Sequence, residues 1–350
     1  MTQVAVMGSG SWGTAFGMIL ADAGCAVNMW AREPDVVQDI NHKHENVRYH
    51  EGLPLPESMH ATGDPVEALD GAELVVLAIP SQTLRENLTA WKPSVPEDAV
   101  YVTLMKGIEI GSMLRMSQLI EQVAECDTDR VAVVSGPNLA REIAQRQPAA
   151  TTVACSSEAS AMKLADATTT NYFRPYYTTD VVGTEIGGAV KNVIALANGM
   201  AVGMGLGDNT QASLITRGLA EMSRLGVALG ANPLTFLGLA GIGDLIATCT
   251  SPLSRNRTFG ENLGKGLTLD ETIAVTKQTC EGVKSCQPIL NLGLEHGVEM
   301  PITEQVVKVV HDGMPIPEAL SNLMGRQTGA EQGHRVTLAD LAGAANPEND

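Results

Sequence analysis

Positive charge is what this chain lacks. Its 23 Lys and Arg stand against 40 Asp and Glu, a formal net charge of -17. Non-specific binding to nucleic acid or to an anionic membrane needs a basic face, so both are disfavoured. A small anionic ligand would have to be held by a local basic pocket against the overall field, which singles out any Lys or Arg beside a motif. Metal-ligand patterns are missing as well. Cys25, Cys126, Cys155, Cys249, Cys280 and Cys286 form no CxxC pair and no His/Cys spacing, and no His falls in HExxH, so no protein-bound metal is expected. The opening MTQVAVMGSGSWG has neither a basic n-region nor a long apolar core, so no secretory signal is expected and reduced thiols in the cytoplasm are. The most membrane-like stretch, Ile186–Leu206, carries Lys191, Asn192 and Asn198 and is rich in Gly and Ala, which reads as a buried helix of a globular protein. There is no internal repeat or low-complexity tract.

What is present is a two-part pattern. With 44% hydrophobic and 18% charged residues over 350 positions, the chain is long enough for two ordinary domains. In the first half short apolar runs alternate with helical segments, the signature of a parallel sheet covered by helices. Strands are expected at Gln3–Met7, Val27–Trp30, Leu74–Ile79, Val100–Leu104, Val131–Ser135 and Thr151–Cys155. From about Thr184 to Met324 strand-like runs give way to Ala/Leu/Gly segments with helical spacing. The fold class expected is an α/β Rossmann-type dinucleotide-binding domain (1–183), an all-α domain (184–335) and a loose tail (336–350).

Gly8-Ser9-Gly10-Ser11-Trp12-Gly13 is GxGxxG placed directly between the first strand and the helical run Thr14–Ala23. The first Gly allows the tight turn, the second admits a pyrophosphate close to the backbone, and the third lets helix and strand pack. The helix N-terminus then offers free N–H groups to the phosphates. At the end of the second strand, where an NAD site carries an acid for the adenosine ribose, the chain reads Ala31-Arg32-Glu33. Arg32 could meet a 2′-phosphate, which favours NADP(H) and leaves NAD(H) open; a solvated strand-end charge is the alternative. Three later turns could complete the cleft: Ile79-Pro80-Ser81, Lys106-Gly107 and Gly136-Pro137-Asn138-Leu139-Ala140.

On the long helix expected from Thr184, Gly188, Lys191, Ala195 and Asn198 share one face. A Lys there either pairs structurally, with Glu185 as a possible partner, or is tuned by burial into an acid–base group. Gly241–Arg257, GIGDLIATCTSPLSRNR, gathers four hydroxyls, an Asn and two Arg with no acid after Asp244. Ser254, Arg255, Asn256 and Arg257 can cradle phosphate oxygens, or the Arg can simply pair with surface carboxylates. Taken together these elements suggest hydride transfer involving a phosphorylated alcohol or ketone.

GSGSWGTAF, WARE, LMKGIE, VVSGPNLARE, the long GTEIGGAVKNVIALANGMAVGMGLGDNTQASLITRGLAEM and GIGDLIATCTSPLSRNRTFG closely resemble the soluble bacterial NAD(P)-dependent glycerol-3-phosphate dehydrogenase family over nearly the whole chain. The resemblance implies a Rossmann domain joined to a helical domain of the 6-phosphogluconate dehydrogenase C-terminal type, and a cytoplasmic homodimer. It also implies interconversion of dihydroxyacetone phosphate and sn-glycerol 3-phosphate for phospholipid synthesis. By motif, Ser11, Trp12, Arg32, Glu33, Lys106, Ala140, Arg255, Thr279 and Glu281 would contact the dinucleotide. Lys106, Gly136, Asn138, Lys191, Asp244, Ser254, Arg255 and Asn256 would contact the substrate, with Lys191 transferring the proton. Two positions depart from the family pattern: Asn138 stands where Ser or Thr is usual, and Thr279 where an aliphatic residue is usual. The competing readings are a related dehydrogenase of the 6-phosphogluconate or β-hydroxyacid type and a non-catalytic dinucleotide sensor.

Overall fold

The apolar runs of the first half assemble into one eight-stranded sheet. The computed structural model describes residues 1–276 and 280–327. Its strands are β1 (Gln3–Met7), β2 (Ala26–Trp30), β3 (Met59–Thr62), β4 (Leu74–Leu77), β5 (Val100–Thr103), β6 (Val131–Ser135), β7 (Ala149–Cys155) and β8 (Phe173–Thr178). They lie in the order β3-β2-β1-β4-β5-β6-β7-β8. The strand order reverses between β1 and β4, and ligands of open α/β sheets bind at such a point, outside the carboxyl ends of the strands.

All six expected strands form, within a few residues of their anticipated ends, and two more join them. β3 is only four residues long and contains His60, too brief a signal to read from periodicity. β8 contains Pro175, which cannot donate to a ladder and so belongs on the sheet edge where it is found. The sheet is not wholly parallel: β7 runs antiparallel to β6, pairing Ser135 with Thr152. The helix between them, Ala140–Ala144, has five residues. It spans roughly 7–8 Å, less than half the roughly 17 Å needed to return along a five-residue strand, so the chain re-enters from the same edge. Helix Glu158–Ala167 is twice as long and carries the chain back, making β8 parallel to β7.

Beyond the sheet the chain is helical. Helix Val181–Gly203, which begins three residues before the expected Thr184, is buried along almost its whole length. It is long and apolar enough to cross a membrane, yet 83% of its apolar window is buried inside the protein. Its Gly content has a packing cause. A Cβ on Gly199 would lie 2.1 Å from the Arg257 carbonyl oxygen, and one on Gly260 would lie 2.1 Å from that of Leu196. Helix Arg255–Gly264 therefore packs backbone to backbone on the central helix, which brings Asn256 against Asn192, the residue after Lys191. The last described helix is Ile316–Met324, and the expected tail 336–350 lies outside the described residues.

Candidate active site

The glycine turn has the form its spacing requires. Gly8 sits at φ +130°, and a Cβ there would be 2.5 Å from the Ala78 carbonyl oxygen, so β1 and β4 meet closely at the strand-order reversal. A Cβ on Gly13 would fall 2.1 Å from the Gly8 oxygen. Gly10 is different: nothing lies within 4 Å of its missing Cβ. It caps helix Ser11–Asp22 without a side-chain hydrogen bond, so the first-turn N–H groups remain for an anion. That open cradle fits a dinucleotide pyrophosphate. Trp12 packs edge-on to Phe16, and its buried Nε1 has no partner among the described residues.

Two supports of this turn escaped the sequence reading. Asn46 Nδ2 donates to the Ser9 carbonyl at 3.0 Å and to Thr14 Oγ1 at 2.9 Å, and His50 Nε2 lies 2.7 Å from the Ser11 carbonyl. Both side chains are fully buried. At the end of β2, Arg32 Nη2 pairs with Glu33 Oε1 at 2.9 Å, and Arg48 Nη1 lies 3.8 Å from the same oxygen.

The candidate reaction centre is a buried carboxylate between two ammonium groups. Lys191 Nζ lies 2.6 Å from Asp244 Oδ1, and Lys106 Nζ lies 2.6 Å from Asp244 Oδ2. Lys106 also donates to the Gly136 carbonyl at 3.1 Å, and Lys191 to Thr248 Oγ1 at 2.6 Å. Thr248 was not foreseen, although its signal was present: it lies one helical turn after Asp244 and so shares its face. Asn192 donates to the Lys106 carbonyl at 3.4 Å and accepts from Asn256 Nδ2 at 2.9 Å. Burial pushes the Lys191 ammonium down to about 8; Asp244 opposes this, and Lys106 reinforces it. A Lys at that poise can give a proton as the ammonium and take one as the neutral amine near neutral pH. Burial pushes the thiols of Cys249 and Cys280 up to about 12, so neither is a ready nucleophile.

Glu185 is not the partner of Lys191. Six residues apart on a helix, the two side chains diverge by roughly 120°. Glu185 instead accepts from Ser117 N at 2.8 Å and Ser117 Oγ at 2.6 Å, and pairs with Arg115. It thereby ties the central helix to the start of helix Met116–Ala124 on the sheet side.

The phosphate-cradle residues divide. Ser254 caps helix Arg255–Gly264 by accepting from Arg257 N at 3.3 Å. Arg255 is exposed and forms no ion pair with any described residue. Arg257 pairs through Nη1 with Glu261 at 2.9 Å, while its buried Nε has no partner among the described residues. Asn256 points inward, donating to Asn192 and accepting from Gly282 N at 2.9 Å and Cys280 Sγ at 3.0 Å. Asn138 Nδ2 donates to Thr151 Oγ1 at 2.9 Å, while its buried Oδ1 has no partner among the described residues. Ala140 opens the short helix after β6, half-buried. Glu281 Oε2 accepts from Ser81 Oγ at 2.6 Å, joining the turn after β4 to the helical half. Thr279 lies outside the described residues.

The sheet half and the helical half each match a family model. Residues 3–161 match the N-terminus, and residues 180–321 the C-terminus, of NAD-dependent glycerol-3-phosphate dehydrogenase. The chain belongs to that family. A glycerol-3-phosphate dehydrogenase [NAD(P)+] of Streptomyces avermitilis is 61% identical over 330 residues, covering 94% of this chain and 98% of the relative. One from Thermobifida fusca is 59% identical over 333 residues, covering 95% and 99%. A solved glycerol-3-phosphate dehydrogenase from Coxiella burnetii superposes with a TM-score of 0.88 at 35% identity, covering 93% of this chain and 99% of that one. Membership in the glycerol-3-phosphate dehydrogenase family removes the 6-phosphogluconate or β-hydroxyacid alternative, because both halves match this family.

Proposed function

We infer that this chain interconverts dihydroxyacetone phosphate and sn-glycerol 3-phosphate with NAD(P)(H), supplying the glycerol phosphate backbone of phospholipids. The observation that carries the reading is the Lys106–Asp244–Lys191 cluster, buried where the sheet meets the central helix. A bound reduced nicotinamide supplies a hydride to the ketone carbon. Lys191 has three N–H donors, and two are engaged by Asp244 and Thr248. The third is left for the substrate carbonyl oxygen, on which negative charge grows during reduction. Lys191 stabilises that oxygen and delivers its proton; in the oxidising direction the neutral amine takes the hydroxyl proton back. Lys106, held by Asp244 and the Gly136 carbonyl, adds a second positive charge beside it. Electrostatic donors of this kind contribute ~3–4 kcal/mol each to the transition state.

Around this centre, Gly8, Gly10, Ser11, Trp12 and Gly13 hold the pyrophosphate end, and Arg32 with Glu33 the adenosine end. Ala140, Thr279 and Glu281 complete the cofactor cleft. Asn138, Ser254, Asn256 and exposed Arg255 bind the substrate side, with Arg255 gripping its phosphate. NADP(H) is favoured because Glu33 is covered by guanidinium groups. The domain division at 183/184 is supported by the change from strand-like to helical runs near Thr184, and a homodimer and a cytoplasmic location by the family resemblance. The test is consumption of NADPH and NADH, in parallel, on addition of dihydroxyacetone phosphate. Rapid loss of reduced cofactor is expected, faster with NADPH. Binding of both cofactors with no turnover would instead establish a sensor and remove the role of Lys191.

A further inference from the structure

The segment between β2 and β3 does two things at once. Asn46 and His50 point inward and are fully buried. Asn46 donates to the Ser9 carbonyl at 3.0 Å, and His50 Nε2 meets the Ser11 carbonyl at 2.7 Å. The Ser11 carbonyl can only accept, which places a ring proton on Nε2, donating to Ser11, while Nδ1 has no partner among the described residues. The strut is therefore bolted to the pyrophosphate turn itself. Arg48, midway between these anchors, points the other way, half-exposed, toward Glu33.

Glu33 occupies the place from which an acid receives the adenosine ribose hydroxyls in an NAD site. Here one of its two oxygens is shared with guanidinium groups. Arg32 and Arg48 approach the same oxygen, Oε1, at 2.9 and 3.8 Å, and both Arg side chains are more exposed than that of Glu33, at 81% and 49% against 23%. Two cations and one anion leave a local surplus of positive charge on a strongly acidic protein. A ribose diol has no use for that surplus, whereas a phosphate dianion does.

We propose that Arg48 is a second determinant of cofactor choice, binding the adenosine 2′-phosphate of NADP(H) together with Arg32. The Asn46–His50 strut fixes its distance from the pyrophosphate turn. This rests on the NADP(H) preference inferred above, and the experiment separates the two. Wild type, Arg48→Ala and Arg48→Lys are titrated calorimetrically with adenosine 2′,5′-bisphosphate and with 5′-AMP. Wild type is expected to bind the bisphosphate more tightly. Arg48→Ala should lose about five- to tenfold in bisphosphate affinity and less than about twofold for 5′-AMP, with Lys recovering part of the difference. Equal losses for both ligands would mean that Arg48 acts only through the glycine turn and would overturn the proposal, as would no loss at all. A wild type that does not prefer the bisphosphate would overturn the NADP(H) reading itself.

Discussion

Lys191 and Lys106 are bound to the two oxygens of one carboxylate, each at 2.6 Å from Asp244. Breaking such an arrangement by removing one partner is costly, because a buried charge is left uncompensated. Here the sharing also sets the acid–base behaviour of Lys191. Burial alone would drive its ammonium far down, and the Asp244 charge keeps it at about 8.

Lys191→Ala should lower the turnover number by roughly 100- to 10,000-fold, the usual share of a general acid, with the fold retained. Steady-state kinetics alongside circular dichroism would check this. A variant keeping half the wild-type activity would remove Lys191 from the proton transfer.

The two reaction directions should respond oppositely to pH. Reduction needs the protonated ammonium, so its kcat is full below about 8 and declines as pH rises through that value. Oxidation needs the neutral amine, so its kcat rises through the same value. In Asp244→Asn the supporting negative charge is gone, and both limbs should move to lower pH. Profiles that coincide for wild type and Asp244→Asn would show that another group titrates.

Arg255→Ala should chiefly raise the KM for dihydroxyacetone phosphate, by about tenfold or more, with kcat changed much less. A phosphate grip is shared by ground and transition states and so acts as uniform binding. The measurement is initial rates over a wide substrate range. A fall in kcat with KM unchanged would place Arg255 in the chemistry instead.

Glu221 offers a test of stability away from the site. It is buried and accepts from Ile302 N at 2.5 Å and from Thr303 N and Oγ1 at 3.2 and 3.1 Å, capping helix Pro301–Asp312. Burial pushes its carboxyl up to about 7. Between the ordinary carboxyl range and that value the folded state holds a proton the unfolded state has lost, so this group's contribution to stability falls as pH rises. Glu221→Gln keeps an acceptor and cannot ionise. Relative to wild type it should therefore gain about 1–3 kcal/mol between pH about 5 and about 8 in urea unfolding. A difference that does not vary with pH would refute the assignment.

The local features were legible without coordinates because their physics is local. GxGxxG between a strand and a helix, a Lys on an apolar helix face, and a cluster of hydroxyls and Arg each show within about 20 residues. The bonds that organise the site are not of that kind. Asp244 reaches Lys191 across 53 positions and Lys106 across 138, and Ser81 reaches Glu281 across 200. Spacing alone disfavours Glu185, six positions and roughly 120° around the helix from Lys191, but it could not nominate Asp244, which only packing delivered. Asn46 and His50 likewise sit in a stretch with no periodic signal, and become supports only when β2 and β3 bring it against the glycine turn. The sequence by itself determined which chemistry the residues could perform, since side-chain type and short-range spacing set that. Which of them share a charge, and hence the poise of Lys191, only the tertiary structure decided, because burial and charge pairing depend on through-space distance.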